Sequence, residues 1–400
     1  MWILSARNSA QGSCSGVCDM QLYVWRYVPG DNYLTEQPYF ASDRILDDAV
    51  SVVWCERYQE PGEFVLLLRA TPELLRYFAD NTILLSREGS DTAMFVETVT
   101  LTTSAQDGNY LRISGRSAES VIYERIIRQT DTQYGRPDEL IYYYIRQNAD
   151  SYWYFHTDAA HRKQQRYKYI NLLEPDDYAP MQGATDAQPF GQSVGAFAET
   201  MCKAFRFGFR IRFANGKFLY SCYKGDDRSV GQSVLPAVIF AEEFENLADT
   251  VYSLDRSGYY NRAVIGGEGS GKDRIVAEYS DEITKNAGLL MRETFVDAKT
   301  VSSNVDSDVS YVTLLQRIAI DSVNSKRIAQ SFGGDILPGG QFKYRQDYFL
   351  GDTVTVRNAY GITGTAAVSE IVETEDDNGY RLIPTFKDWV VVENDDMRIF

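Results

Sequence analysis

The sequence predicts a mainly β protein with an α+β module: two similar β-barrel domains, an α+β domain inserted between them, and a helical segment. Three observations carry this prediction. The chain holds 28 Tyr and 20 Phe, side chains that suit a pleated, half-buried surface. Short apolar or alternating runs of strand length recur from Gln21 to Phe386, punctuated by Gly, Pro, Asn and Asp. Helical periodicity is confined to a few segments.

Residues 20–116 read as a first β domain. Val50–Trp54 and Glu63–Leu68 are apolar runs separated by Pro61-Gly62. A short helix is expected over 72–79, with Pro72 at its first position. Strands follow at 82–87, 93–103 and 110–115, the last two separated by the turn Gln106-Asp107-Gly108-Asn109. The pattern changes at Ser117, where Ser117-Ala118-Glu119-Ser120 caps a helix with Val121, Ile122, Arg125 and Ile126 on one face. Helices are expected at 137–148 and 192–205, with an irregular polar stretch over 150–190 between them. Phe207–Phe213 alternates, Asn215-Gly216 turns, and Lys217–Tyr223 returns: a hairpin, because both turn residues must accept positive φ. Residues 117–240 thus form the α+β domain. Residues 241–400 form the second β domain, with a helical insertion at about 301–335. There Tyr311, Leu314, Leu315 and Ile318 share a helix face, and Gly333-Gly334 is expected to end it. The last β unit runs over 342–386, and an acidic tail containing Trp389-Val390-Val391-Val392 follows.

Composition narrows function. With 40 Lys and Arg against 56 Asp and Glu, the formal net charge is -16. Nucleic-acid affinity rests on cations that displace counterions, so stable DNA or RNA binding is disfavoured, as is an anionic membrane surface. No apolar stretch reaches the roughly 20 residues of a spanning helix, and Met1–Arg7 is too short in apolar core for a signal peptide. Cys18 does not fit a lipoprotein site, since Val17 stands where a small residue is needed. Residues 1–19, rich in Ser, Gly, Ala, Asn and Gln, read as a flexible extension or the product of an upstream start codon.

Candidate chemical sites each meet a simpler explanation. Cys14, Cys18, Cys55, Cys202 and Cys222 are odd in number and scattered, which argues against a disulfide framework. Cys14 and Cys18 could form half a metal site, but no second pair follows. Gly266-Gly267-Glu268-Gly269-Ser270-Gly271-Lys272-Asp273 resembles a phosphate loop, yet Asp273 replaces the required Ser or Thr, and 274–279 reads as a strand rather than a helix. A glycine-rich hairpin turn is the expectation. Asn304, Asp306, Asp308 and Ser310 resemble a calcium loop, but Val309 stands in place of its Gly and Leu315 in place of its Glu; helix capping accounts for them. His156 and His161 lie beside no nucleophile motif, and no Gly-x-Ser-x-Gly occurs. With 56 acidic residues, carboxylate pairs suited to glycan cleavage cannot be singled out by sequence. No catalytic, cofactor or metal residue is therefore assigned, and no enzyme activity is expected.

Several stretches together suggest a family. Asn261–Arg274, then Gly351–Val356 with Tyr360-Gly361-Ile362 and Tyr380–Phe386, and an opening from Val53 through Glu63-Phe64 to Gly115-Arg116-Ser117, resemble tail-tip baseplate hub (tail-associated) proteins of long-tailed bacteriophages and prophages. The resemblance covers most of the chain from Met20 to Lys387. It implies a homotrimeric structural hub in the virion tail tip, made in the host bacterial cytoplasm. Its partners would be the distal tail ring, the tape-measure protein and other baseplate or receptor-binding proteins. Viral DNA would pass through without stable binding, and no membrane insertion, cofactor or catalytic residue is implied. Many relatives extend into a fibre or hydrolase, whereas this chain stops at Phe400, which implies a bare hub. The alternative is a cell-wall or carbohydrate-binding or cleaving tail protein, with the aromatics as its platform.

One internal likeness bears on symmetry. Thr82-Ile83-Leu84-Leu85 resembles Thr353-Val354-Thr355-Val356, and 106–111 resembles 377–382, both at an offset of 271 residues. A duplicated β unit would let a trimer present six similar barrels.

Overall fold

The computed structural model describes residues 20–391 apart from 30–38, 107, 150, 156–163, 169–172, 177–178, 282–287, 300, 302–309, 327–328, 337–340, 359 and 361–362. The chain divides into two compact units: Met1–Thr250 with Gly333–Phe400, and Val251–Phe332. The boundaries fall inside two strands.

The first part of the larger unit contains β1 (Leu22–Val28), β2 (Tyr39–Leu46), β3 (Ser51–Arg57), β4 (Glu63–Arg69), α1 (Pro72–Asp80), β5 (Ile83–Arg87), β6 (Ala93–Ser104) and β7 (Gly108–Ser117). Alternation sets its core. Val52 and Trp54 of β3, Phe64, Leu66 and Leu68 of β4, and Leu111 and Ile113 of β7 are buried together with Leu22, Val24, Ile83, Leu85 and Met94. Burying each such side chain contributes about 1.5–3 kcal/mol. Helix α1 closes over this face with Phe78. It starts where predicted, because Thr71 Oγ1 accepts from the Leu74 amide at 3.1 Å and Pro72 presets the first turn.

The middle of the chain adds α2 (Ser120–Tyr123), β8 (Gln133–Gly135), α3 (Pro137–Asn148), β9 (Ser151–Phe155), β10 (Gln164–Lys168), β11 (Leu173–Pro175), β12 (Thr185–Ala187), α4 (Val194–Phe205), β13 (Gly208–Ala214) and β14 (Lys217–Tyr223). Tyr144 of α3, Phe197 of α4, Phe209 and Ile211 of β13, and Phe218 and Tyr220 of β14 share a core with Phe40, Leu84 and Ala93. The β13–β14 hairpin turns at Asn215 and Gly216, at φ 53 and 75°. The stretch over 150–190, expected to be irregular, contains the short strands β9–β12. The helix expected from Ser117 lasts four residues, because the chain leaves α2 to bridge Ile126 to Ser193.

The remaining elements are β15 (Ile239–Ala241), β16 (Leu247–Asp255), β17 (Arg262–Gly266), β18 (Val276–Ser280), β19 (Glu293–Asp297), α5 (Tyr311–Ser325), β20 (Ala329–Ile336), β21 (Thr353–Arg357), β22 (Thr363–Asp376) and β23 (Gly379–Val391). Helix α5 stops at Ser325. Gly333 and Gly334, expected to end it, lie instead in β20, and a Cβ at Gly334 would sit 2.9 Å from the Ala248 carbonyl oxygen. Close backbone approach, rather than a helix cap, requires that glycine. In the smaller unit, β18, β17 and β19 form a three-stranded sheet, and Ala263, Ile265 and Ala277 pack with Leu315, Ala319 and Val323 of α5.

A path of hydrogen-bonded strands runs β16-β20-β23-β22-β3-β4-β7-β6-β5-β1-β2, with β21 also on β22 and β15 on β21. Among the described residues this path stays open, so the two closed barrels expected from sequence are not formed. The length of β22 is the reason. On one edge its first half pairs β21, while its second half pairs β3 from the opening β region. The closing sheet therefore continues into the opening one instead of curling back on itself.

Two meanders stand out along this path. Strands β5-β6-β7 and β21-β22-β23 have the same order, each a short strand, a long strand, a glycine turn and a long strand. Gly108 and Gly379 both take positive φ, 89 and 95°. In the first meander Val96 faces Gly115 and Thr98 faces Ser114, leaving Glu97 as the extra residue of a bulge. In the second Val368 faces Phe386 and Glu370 faces Thr385, leaving Ser369 extra. Gly115 and Phe386, like Ser114 and Thr385, keep the 271-residue offset. A bulge is a specific device that bends a strand and fixes its register.

Candidate assembly seam between the two meanders

The junction of β22 with β3 is antiparallel, from Glu370 opposite Arg57 to Glu375 opposite Val52. Strand geometry puts Val52, Trp54 and Glu56 on one face of β3, and Ile371 and Glu373 on one face of β22. Both glutamates are therefore carried into the interior, at 7% and 4% exposure. A buried carboxylate is costly unless it is paired and hydrogen-bonded.

Glu56 is fully engaged. Its Oε1 accepts from Trp54 Nε1 at 3.1 Å, Ser90 Oγ at 2.6 Å and Arg345 at 2.7 Å, and its Oε2 accepts from the Tyr344 hydroxyl at 3.0 Å. Burial pushes its pKa up, but the Arg345 and Arg87 guanidinium groups outweigh this and hold the carboxyl below its usual range. Glu373 pairs with Arg87, accepts from the Tyr380 hydroxyl at 2.6 Å, and lies 3.5 Å from Arg345. Arg345 takes a left-handed backbone, φ 64°, in a tight turn where its amide donates to the Tyr348 carbonyl at 2.9 Å. Such backbone in a non-glycine residue persists only where surrounding contacts hold it. At the partly open side, Arg57 binds Glu370 at 2.6 Å, Glu63 at 2.9 Å and the Pro61 carbonyl at 3.0 Å.

The network holds the two sheet regions in one register. Two acids that share a guanidinium and have their oxygens filled by fixed donors are poor proton carriers. The sequence alone did not find this cluster, because its members are nearly 290 residues apart. A signal was nevertheless present: Glu56 interrupts the apolar face of an otherwise buried strand.

The other sequence candidates are placed as follows. The loop after Gly266 connects antiparallel β17 and β18, as expected of a hairpin turn. The Glu268 amide donates to the hydroxyl of Tyr311 from α5 at 2.8 Å, and Arg274 donates to the Gly266 carbonyl at 2.8 Å, so protein side chains satisfy these backbone groups of the loop. A three-residue 3-10 turn and a strand follow it. Ser310 caps α5, its Oγ accepting from the Thr313 amide at 3.3 Å. Asn304, Asp306, Asp308, His156, His161, Cys14 and Cys18 lie outside the described residues. Cys55, Cys202 and Cys222 are buried thiols. Burial raises the pKa of each, that of Cys222 to about 12, which leaves them unreactive near neutral pH. Among the described residues no group of three or more His, Cys, Asp or Glu could hold a metal ion, and no helix is long and apolar enough to cross a membrane. A cavity of about 290 Å³ lies along α3, lined by Glu139, Tyr142, Tyr143, Arg146 and Gln147.

Comparison with known proteins agrees with this architecture. The chain is similar to the 43 kDa tail protein of prophage MuSo2 from Shewanella oneidensis, at 9% identity and TM-score 0.53, over 92% of this chain and 98% of that one. It is equally similar to a tail protein from Neisseria meningitidis MC58, at 12% identity and TM-score 0.53, over 92% and 96% of the two chains. At these identities the likeness is one of fold. A search of curated protein sequences gives no match. The family described as Siphovirus ReqiPepy6 Gp37-like protein matches residues 37–386, nearly the whole described chain. With that match, the chain belongs to this siphovirus tail-protein family.

Proposed function

We propose that the protein is a structural hub of the phage tail tip, a homotrimer whose two β regions form a ring around the tail axis. The chain is a component of the virion tail, and the hub role refines that location. The observation that carries it is the repeated meander. Two sheets of one strand order, with a bulge at the same register, give each chain two similar parts. Three chains then present six similar parts to a sixfold tail ring. The layout follows the domains expected from sequence, with 20–116 and 241–400 supplying the ring and 117–240 lying outside it.

The distal tail ring and the tape-measure protein are the partners on the tube side, and other baseplate or receptor-binding proteins those on the host side. DNA passes through without stable binding, consistent with a net charge of -16. The role is non-enzymatic: the buried carboxylates Glu56 and Glu373 are locked by Arg87 and Arg345. Light scattering on the concentrated protein tests the assembly. About three chain masses of 45.4 kDa each are expected; a strict monomer at high concentration contradicts it.

A further inference from the structure

We propose that the edge of β6 over residues 98–103, which carries no strand among the described residues, is a subunit contact completed by β16 of a second copy, in the antiparallel arrangement that β3 makes on β22 within one chain. The proposal rests on the trimeric reading above and names its contact.

The correspondence is strand by strand. The run β5-β6-β7-β4-β3 is matched by β21-β22-β23-β20-β16. In each meander the short strand pairs the first part of the long one: β5 with Ala93, Met94 and Phe95, and β21 with residues 363–367. In β22 the rest of that edge, from Glu370 to Glu375, is covered by β3. In β6 the rest of the edge carries no strand among the described residues, since β6 pairs only β5 and β7. Thr98, Thr100, Leu101, Thr102 and Thr103 are exposed there.

An unpaired edge invites another strand, and soluble proteins guard such edges with charge, proline or a covering segment. Residues 98–104 read Thr-Val-Thr-Leu-Thr-Thr-Ser, with no charge and no proline. Their β-branched side chains favour a strand partner.

The strand equivalent to β3 is β16, which ends the path and has one neighbour among the described residues. It exposes Val251 and Leu254, at 42% and 36%. Register follows from the internal match. Ile113 faces Leu66, and Pro384, its counterpart, has its carbonyl oxygen 3.6 Å from a Cβ built on Gly333. Leu67 faces Ser51, and a Cβ on Gly334 would lie 2.9 Å from the Ala248 carbonyl oxygen. Ala248 therefore stands for Ser51, and Val251 for Trp54. If Asp249, at φ 50°, is the extra residue of a bulge, Tyr252 takes that place. Glu373 faces Trp54, and Leu101 is the counterpart of Glu373, because Leu101 faces Leu111 and Glu373 faces Leu382, 271 residues further on. Leu101 thus meets Val251 or Tyr252 of the neighbour. Each chain brings one β6 edge and one β16 edge with no strand neighbour among the described residues, so the contact is head-to-tail and closes into a ring if the rotation allows it.

The test uses two double variants, Leu101→Cys with Val251→Cys and Leu101→Cys with Tyr252→Cys. Both are made in the full chain with Cys14→Ser and Cys18→Ser, so that only the new thiols are outside the described core. Opposed strand positions lie within disulfide reach, a Cα separation of about 4.4–6.8 Å. Mild oxidation of one of the two is expected to give covalent dimers and trimers on a non-reducing denaturing gel, while the single-cysteine variants give none above background. A trimeric native mass without cross-linking in either register overturns the strand contact and leaves the trimer standing. A monomeric mass without cross-linking overturns both. Leu101→Lys is an independent check. Leu101 is 44% exposed in one chain, so the variant should keep its melting profile while its mass falls from three chain masses to one. Retention of the trimer contradicts the proposal.

Discussion

The two meanders share backbone plan and bulge register but differ in what covers their long strand. On β22 the second half of the outer edge is sealed by β3 and backed by the buried Glu56–Arg345–Glu373–Arg87 network. On β6 the same stretch carries no strand among the described residues and is threonine-rich. The ion pairs follow the coverage. Arg87 and Glu373 are at 7% and 5% side-chain exposure, whereas Arg116 and Glu97, beside the first bulge, are at 39% and 35%. One copy of the plan is finished inside the chain, and the other is left in the state of a surface. A repeated fold thus acquires two energetic characters from its neighbours alone.

The largest expected effect comes from breaking the sealed copy. Glu373→Ala leaves Arg87 buried without its carboxylate and should cost about 3–5 kcal/mol in chemical denaturation. A loss below about 1 kcal/mol would mean that the network does not hold the junction. The bulges come next. A Cβ at Gly115 would lie 1.8 Å from the Phe95 carbonyl oxygen, so Gly115→Ala must displace the first bulge and should cost about 1–3 kcal/mol. In the second copy that position is Phe386, packed 5.4 Å from the Phe240 ring. The same backbone role therefore does not fix the same residue. A neutral Gly115→Ala in a thermal melt would show that the bulge is loose.

Two buried carboxyls give opposite pH signatures. Glu56 is held below its ordinary value of 4.5, so its contribution is present above that value and is lost as pH falls through its lower, folded-state pKa. Glu119, raised above 4.5 by burial, contributes below 4.5 and loses that contribution as pH rises through its folded-state pKa. Its other contacts are few: one oxygen accepts from the Ile211 amide at 2.7 Å, and Oε2 has no hydrogen-bond partner. Glu119→Gln should therefore stabilise the protein near neutral pH, with the gain vanishing below pH 4.5 in denaturation curves; destabilisation at neutral pH would contradict this. The smallest effect belongs to the exposed copy. Arg116→Ala should change stability by about 1 kcal/mol or less, and less still at high salt; a larger loss would erase the contrast between the copies.

Local chemistry was legible in the sequence where one residue decides. Thr71 with Pro72, Ser310, and Asn215-Gly216 each mark an element that forms where expected, because a cap or a positive-φ turn acts within a few residues. The repeat was legible only in part: Gly108 and Gly379 keep the 271-residue offset, but β6 and β22 match at 272, because three residues turn between Ser104 and Gly108 and two between Asp376 and Gly379. The seam was not, since Glu56 meets Arg345 only through sheet topology. Closure of the barrels failed because a strand pattern says nothing about which edge a long strand offers to which neighbour. Gly333-Gly334 misled as a helix stop, since glycine marks close backbone approach as readily as a cap.

The central claim is that two similar β regions per chain build a threefold ring with near-sixfold character. Averaged electron micrographs of the purified protein at high concentration test this most directly. The account predicts closed rings in end view with three repeats, each resolving into two similar lobes. Single particles of one chain mass, or rings whose symmetry is not a multiple of three, would contradict it.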